Sequence, residues 1–512
     1  MSTMEGGLQQ LLAFPPYPMP ATPLPDSEYD KQIKAHIQYL NTIPASKLTN
    51  GVPNGGGDLL DIVDPSVNTT SYLYILLAYI SGSSSKQKLG AVSDSFALGS
   101  PLWHKSLEFM DRFDPIQVRY AGNEFRRLVE AVASRARTFS QPFAAVPAIR
   151  TAILRVDHSG ATFTSTHLIF ARLCLEARAY TDALPVLDEI IYYLPCATNK
   201  GAENNMFPYL NSKHESSSTY ITQESGLSAK LDYRDHLQYF LFGAMLYMGL
   251  KEWKKALLFL EIAMTSPVTN NASKIQVEAY KKWVLVSLLY KGSLPSMPKT
   301  ISSVAAKQYS VVGRPYEGLA AVFMAGIKEE EGVQRLIEEA RVGAQFWSHD
   351  SNAGLVSQVI EAYRKFSILE LEKTYCALTI TEIARYTSPD PYDYAETGQY
   401  VVHLISSRQL NATISEPTQD PATWIIRFSD SASGPLARSE EQQYEALSKQ
   451  TRKVKALTDH IKEIDRKLSL SKDLLADAKR RKKEKNEQGG NEGETVWGRD
   501  GFDQDEDMMA DM

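Results

Sequence analysis

Between about residues 60 and 365, apolar residues recur every three or four positions with almost no two-residue alternation. That spacing puts them on one stripe of an α-helix after another and predicts a stacked helical array over 61–366. The helices also repeat. Ala171, Cys174, Tyr180, Ala183, Leu187 and Ile190 are matched 73 residues later by Ala244, Tyr247, Trp253, Ala256, Leu260 and Ala263. A shift of 38 residues the other way finds Ala133, Ala136, Ala145, Ile149 and Ala152, with Pro142 in the place of the aromatic. Small residues where two helices cross, a large one after each crossing, and Pro267 near the end of one unit make a tetratricopeptide-like (TPR-like) pattern. Small side chains let neighbouring helices approach to about 8–10 Å, and stacked pairs then bury one another's apolar faces.

Other segments break the helical period. Residues 198–230, with Asn204, Asn205, Ser216, Ser217 and Ser218, are polar and aperiodic and predict a long surface insertion. From 367 the texture changes: Ile368, Leu371, Tyr375, Leu378, Ile380, Ile383 and Ala384 predict a helix, a short break and a second helix. A third helix covers Tyr400 to Ser407, and two β-rich runs, Ala412 to Ser415 and Thr423 to Phe428, flank the turn-prone stretch Glu416 to Pro421. Helix, helix, helix, strand, turn, strand over 367–430 is the order of a winged helix. A last helix is predicted over 438–486. In it Leu447, Val454, Ile461, Leu468 and Leu475 fall seven apart, with Leu457, Ile464 and Ala478 three beyond the second, third and fifth, a narrow coiled-coil-like seam. The predicted fold is mainly α: a TPR-like repeat solenoid, a winged-helix domain and a long C-terminal helix.

The ends are less regular. Pro15, Pro16, Pro18, Pro20, Pro23 and Pro25, then Asn50 to Gly57, predict a largely flexible segment 1–60 around one short helix near Tyr29 to Leu40. Residues 487–512 are glycine-rich and then acidic and are expected to be disordered.

A chain of 512 residues with 43% hydrophobic and 23% charged residues has the balance of a globular protein, and a net charge of −6 gives no reason to expect a polyanion as the default partner. Cys174, Cys196 and Cys376 form no CxxC pair, which fits a reducing compartment and makes burial the ordinary reading of each. The most apolar run, Tyr72 to Ile80, is far shorter than a bilayer requires, and the N-terminus lacks a basic and apolar leader. A soluble protein of cytoplasm and nucleus is the expectation.

Catalytic chemistry is not written in any recognisable motif. No HxH, HExxH, CxxC, GxxxxGK[ST], GxGxxG or GxSxG occurs. His236, His349 and His403 read as surface or satisfied core histidines rather than ligands, so no catalytic, metal-binding or cofactor-binding residue is assigned and no cofactor is expected. The basic run 479–485 has three readings: a solvated helix end, a nuclear import signal or a nucleic-acid contact. The expected recognition helix carries Arg408 as its one cation, too few for a row of phosphates.

The order of repeats, winged helix and terminal helix resembles the PCI-domain family, found in subunits of the proteasome lid, the COP9 signalosome and a translation initiation factor complex. Glu278-Ala279-Tyr280-Lys281-Lys282-Trp283-Val284-Leu285-Val286-Ser287-Leu288 is similar to the signature of the family's signalosome subunit 3 branch. Asn352-Ala353-Gly354-Leu355-Val356, Leu371 to Tyr375 and Tyr247 to Lys251 support the same match. The resemblance implies a non-catalytic scaffold in the complex that removes a ubiquitin-like modifier from cullins and so regulates cullin-RING ubiquitin ligases. Its metal site would lie in another subunit, and its partners would be other PCI subunits, with no direct nucleic-acid or membrane contact. Within that reading, Ile425 and Phe428 on a wing strand offer β-pairing and apolar contact, and the seam Leu447, Val454, Leu457, Ile461, Ile464, Leu468 and Leu475 needs partner helices. Two alternatives stay open at this point: a proteasome-lid PCI subunit and a nucleic-acid-binding winged-helix protein.

Overall fold

The computed structural model describes residues 9–16, 24–49, 58–86, 96–195, 209–268 without 215, 271–327, 332–415 without 389 and 391, 421–469 without 431 and 432, and 476 and 480. The chain divides into two compact units, Met1–Tyr400 with Glu416–Ile425, and Val401–Ser415 with Ile426–Met512.

The first unit is helical throughout most of its length. Its longer helices are α1 (Asp26–Thr42), α2 (Thr69–Lys86), α3 (Pro101–Arg112), α4 (Gly122–Thr138), α5 (Val146–Val156), α6 (Ser165–Ala177), α7 (Tyr180–Leu187), α8 (Tyr233–Gly249) and α9 (Trp253–Thr265). They continue as α10 (Lys274–Lys291), α11 (Ser303–Val312), α12 (Arg314–Gly326), α13 (Gly332–Val342), α14 (Ala344–His349), α15 (Ala353–Thr374) and α16 (Ile380–Thr387). One continuous apolar core runs from Leu11 to Tyr363. The apolar run Tyr72 to Ile80 falls in α2, where almost every side chain is buried. No helix of the described residues is long and apolar enough to cross a membrane.

The predicted repeat is physical. Ala133, Ala136, Ala145, Ile149 and Ala152 in the first unit of the repeat are buried, as are Ala171, Cys174, Ala183 and Leu187 in the second and Ala244, Tyr247, Ala256, Leu260 and Ala263 in the third. Tyr180 and Trp253 each open the second helix of their pair, and Pro142 opens the 3-10 turn that leads into α5. Ile190 departs from the pattern: it lies beyond the end of α7 and is exposed, whereas Ala263 is inside α9.

The turns carry the same register. Ser140, Arg178 and Lys251 have φ of 56°, 54° and 58°. Immediately after them the amide N–H groups of Gln141, Ala179 and Glu252 reach back five residues to the carbonyls of Ala136, Cys174 and Tyr247 at 2.9, 2.9 and 3.0 Å. This is the left-handed helix stop that satisfies the last carbonyls of the first helix. A fourth copy, less complete, lies 100 residues beyond the third: Trp347, Val356 and Tyr363 are buried, Ile360 is half-buried and Ala344 is exposed, with Ser351 at φ 56° and Asn352 N–H donating to Trp347 O at 2.8 Å.

Two expectations for this unit change. The segment 1–60 was expected to be largely flexible, yet Leu11 and Phe14 are buried and α1 runs three residues earlier and two later than expected, with Pro25 as its N-cap and Asp26 and Glu28 in its first turn. Asn204 and Asn205 lie outside the described residues, but the second half of the insertion is no surface loop. Tyr220, Ile221 and Leu227 are buried, the Arg119 guanidinium sits 3.9 Å over the Tyr220 ring and donates to Leu210 O at 2.8 Å, and Asn211 and Ser212 donate to the Asp26 carboxylate. Its few apolar residues anchor it, and Ser216 and Ser225 accept from the backbone N–H groups of Ser218 and Leu227 at 3.4 Å each.

The second unit holds the end of helix α17 (Tyr394–Ser406), strand β2 (Ala412–Ser415), most of β3 (Ile425–Phe428) and helix α18 (Glu440–Ser469); a first short strand, β1 (Ala377–Thr379), belongs to the larger unit. β3 pairs with β2. Val401, Leu404, Leu410, Ala412 and Ile426 supply the buried apolar side chains of this unit.

Candidate assembly interface

The terminal helix begins where local chemistry dictates. Asn411, almost fully buried, directs its amide nitrogen to the carbonyls of Ser429, Asp430 and Ser433 at 2.9, 2.7 and 2.9 Å, and its Oδ1 accepts from Leu436 N–H at 3.1 Å. One side chain thus ties the loop after β3 to the approach of α18. Ser439 then caps the helix: Gln442 N–H donates to Ser439 Oγ at 3.2 Å, and Ser439 N–H to Gln442 Oε1 at 3.4 Å. Glu440 and Glu441 in the first turn offset the positive end of the helix dipole.

On this helix the apolar seam meets water. Leu447 is 61% exposed, Val454 63%, Leu457 49% and Ile461 57%, and Ile464 is half-buried. The side chains of Leu468 and Leu475 lie outside the described residues, as does most of the run 479–485. The described helix runs to Ser469, Ala476 and Arg480 are helical as well, and the other residues of the predicted helix beyond 469 lie outside the described residues. Tyr444, 74% exposed, extends the stripe one turn earlier. The sequence reading passed over it, although its position three residues before Leu447 was the signal.

The two strand residues proposed as an interface do not share a face. Side chains alternate along a strand, and in β3 Ile426 is buried, so Ile425 points the other way and is exposed, while the half-buried Phe428 lies on the side of Ile426. Arg408 sits past α17 in a left-handed turn with φ 56°.

The stretch 278–288 proves to be an internal lock of the larger unit. Lys281 Nζ meets Asp350 Oδ2 at 2.6 Å, Lys282 Nζ meets Asn352 Oδ1 at 2.6 Å and also pairs with Glu278, and Asn352 donates to Tyr316 Oη at 2.9 Å. Tyr316 donates to Asp350 at 2.8 Å, Tyr280 donates to Glu317, and Trp283 Nε1 donates to Glu261 at 3.2 Å. Burial pushes the Asp350 carboxyl up, but hydrogen bonds from Lys281, Tyr316 and His349 outweigh it and hold the group below the usual carboxylate range. Burial and the neighbouring Glu317 push the Tyr280 phenol far up. Two lysines are thus balanced by Glu278 and Asp350, which ties α10 to α12 and to the turn before α15. A lock of this kind fixes register more than it adds stability.

Of the cysteines, Cys174 is buried, with its thiol pushed up to about 12 by burial and the nearby Asp182, and Cys376 is exposed, contrary to expectation, just before β1. Cys196 lies outside the described residues. His236 is half-buried against Phe163 and Phe240, while His349 and His403 are exposed. Among the described residues no cluster of three or more His, Cys, Asp or Glu could hold a metal ion.

Comparison with known proteins places these features. Residues 54–305 match the family model described as COP9 signalosome complex subunit 3, N-terminal helical repeats. The chain is similar to COP9 signalosome complex subunit 3 of Emericella nidulans, 36% identical over 447 residues that cover 87% of each chain. It is 26% identical over 494 residues to the Neurospora crassa protein of that name, covering 92% of this chain and 91% of the relative. The Dictyostelium discoideum protein of that name is 27% identical over 361 residues, 70% of this chain and 75% of the relative.

Proposed function

The chain belongs to the COP9 signalosome complex subunit 3 family, and on that premise we propose that it is a non-catalytic scaffold subunit of a COP9 signalosome, holding partners through α18. Residues 367–430 act as a PCI-type winged helix, and the assembly removes a ubiquitin-like modifier from cullins and thereby regulates cullin-RING ligases, in cytoplasm and nucleus.

The observation that carries this reading is the exposed seam of Tyr444, Leu447, Val454, Leu457 and Ile461. A 30-residue helix is about 45 Å long. Covering each of these side chains is worth roughly 1.5–3 kcal/mol, enough to offset the entropy lost when partner helices associate. Contact with partners explains why a soluble chain would keep such a stripe, and a seven-residue spacing suits neighbouring helices better than a flat surface.

The test is a double replacement, Ile461→Asp with Ile464→Asp, in the full chain. Recovery of signalosome subunits in a pull-down should fall at least tenfold while the thermal melt of the isolated chain stays unchanged. Normal recovery would overturn the interface. Mass spectrometry of material captured by the native chain separates the alternatives: cullins and signalosome subunits support the reading, whereas proteasome base ATPases would replace it with a lid subunit.

A further inference from the structure

We propose that the groove between α4 and α6 docks an extended, acidic segment of a partner protein, with Arg172 as the carboxylate anchor. The groove encloses a cavity of about 320 Å³ lined by Glu130, Ala133, Ser134, Arg137, Thr138, Ile169 and Arg172. Its existence follows from the repeat. The short side chains that let neighbouring helices approach also leave a channel on the side away from the second helices, and stacked helical pairs present such a face along their length. The volume is at the lower end of what small-ligand pockets use, and the open shape suits a strand of peptide better than an enclosed molecule.

Charge selects the occupant. Glu130 is paired with Arg126 at 2.7 Å, and Arg137 with Glu176 at 2.8 Å. Arg172 is half-buried, and among the described residues it meets no carboxylate: its Nη2 donates to the Gln238 side-chain carbonyl at 3.3 Å, and its guanidinium lies 5.9 Å from the Phe242 ring. One guanidinium fork therefore stands half-desolvated over a neutral partner. A carboxylate is the group that fork fits in plane, and such a bond gains strength from the partial loss of water. Ile169 supplies apolar contact within the groove, and Phe139, 40% exposed, follows directly after its last α4 residue, Thr138, with Phe143, 52% exposed, four residues beyond Phe139. The segment that matches these features carries aspartate or glutamate beside an aliphatic or aromatic side chain. A nucleic acid is the poorer fit, since a phosphate backbone needs a row of cations and the lining carries two, Arg137 and Arg172, the first already paired with Glu176.

The inference does not depend on the signalosome reading, and its test uses the purified full chain. Fluorescence anisotropy is measured with labelled dodecapeptides of increasing aspartate content around a fixed leucine pair, and with their asparagine counterparts. Saturable binding that strengthens with aspartate content and is at least tenfold weaker for the asparagine series is expected. Arg172→Gln should weaken it by about tenfold or more. Ser134→Trp, which fills the channel from an exposed position without changing charge, should abolish it, with the thermal melt kept. If Arg172→Gln lowers the melt, the Ser134→Trp variant and the asparagine comparison decide. Equal affinity for the two series, affinity untouched by Ser134→Trp, no saturable binding across the series, or displacement of bound peptide by an equal concentration of single-stranded RNA would each overturn the proposal.

Discussion

Helices α9 and α18 carry apolar residues at regular intervals, and their fates are opposite. In α9, Ala256, Leu257, Phe259, Leu260, Ala263 and Met264 are all buried, because the stripe is broad and both α8 and α10 pack on it. In α18 the stripe is one or two residues wide, the residues beside it are Lys, Glu, Asp, Gln and Thr, and Leu447, Val454, Leu457 and Ile461 are exposed. Period tells which face of a helix is apolar. Width tells whether the same chain covers it.

The sharpest way to break the comparison is to put charge on both stripes. Ala256→Glu places a carboxylate at a fully buried helix crossing and should cost about 4–5 kcal/mol or more, enough to unfold the array. Ile461→Asp on the exposed seam should shift the melt by no more than about 0.5 kcal/mol. Equal destabilisation by the two would mean that α18 is covered by its own chain. Next in size are two tryptophans of the array. Trp283, 1% exposed and stacked on Tyr280 at 5.9 Å, should lose about 3–5 kcal/mol on change to alanine. Trp253 is only half-buried, and Trp253→Ala should cost about half as much, read by urea denaturation.

The array was legible in the sequence for a physical reason. Helix crossings demand small residues, so Ala133, Ala171 and Ala244 mark the repeat directly, and all are buried. What stayed hidden is carried by residues that break compositional habit. The stops at Ser140, Arg178 and Lys251 are left-handed without glycine, and the fourth copy has Ala353 where an aromatic or proline opens the others. The insertion looks polar because its anchors, Tyr220, Ile221 and Leu227, are few. Apolarity alone groups Phe428 with Ile425, although strand alternation sets it beside Ile426. At the candidate interface the seam was readable from spacing, whereas Asn411, which ties down the loop leading into it, had no signal short of the fold.

Acid should separate the two regions further. His36 and His167, both in the larger unit, are held neutral by burial, each pushed down to about 4; Asp157 partly opposes the effect at His167. An unfolded histidine binds its proton near pH 6.5, so the unfolded chain takes up protons first as pH falls. The stability contributed by keeping these rings neutral is complete above about pH 6.5 and drains away towards pH 4. The melting temperature should be level from pH 8 to about 7 and then decline, and replacing both histidines with asparagine should flatten the decline between about pH 6.5 and 5. A decline of unchanged slope in that double variant would assign the acid sensitivity to other groups.

A small effect at the turns has the most informative sign. Arg178 and Lys251 are exposed and left-handed, with φ of 54° and 58°, at the stops after α6 and α8. An L-residue there carries the crowding of its Cβ against the carbonyl that follows, roughly 1–2 kcal/mol, whereas glycine carries none and loses part of the gain to its freer unfolded chain. Arg178→Gly and Lys251→Gly should therefore each stabilise the array by about 0.5–1 kcal/mol. Lys455 is equally exposed but lies inside α18, where backbone angles are right-handed and glycine has nothing to relieve. There the same replacement should cost about 1 kcal/mol of helix propensity, read as lost helical circular dichroism rather than as a shift of the main melt. Opposite signs for one substitution would show that the repeat is punctuated by strained stops and the terminal helix is not. A loss of stability at all three positions would mean that the arginine and lysine side chains contribute more at the turns than relief of backbone strain returns.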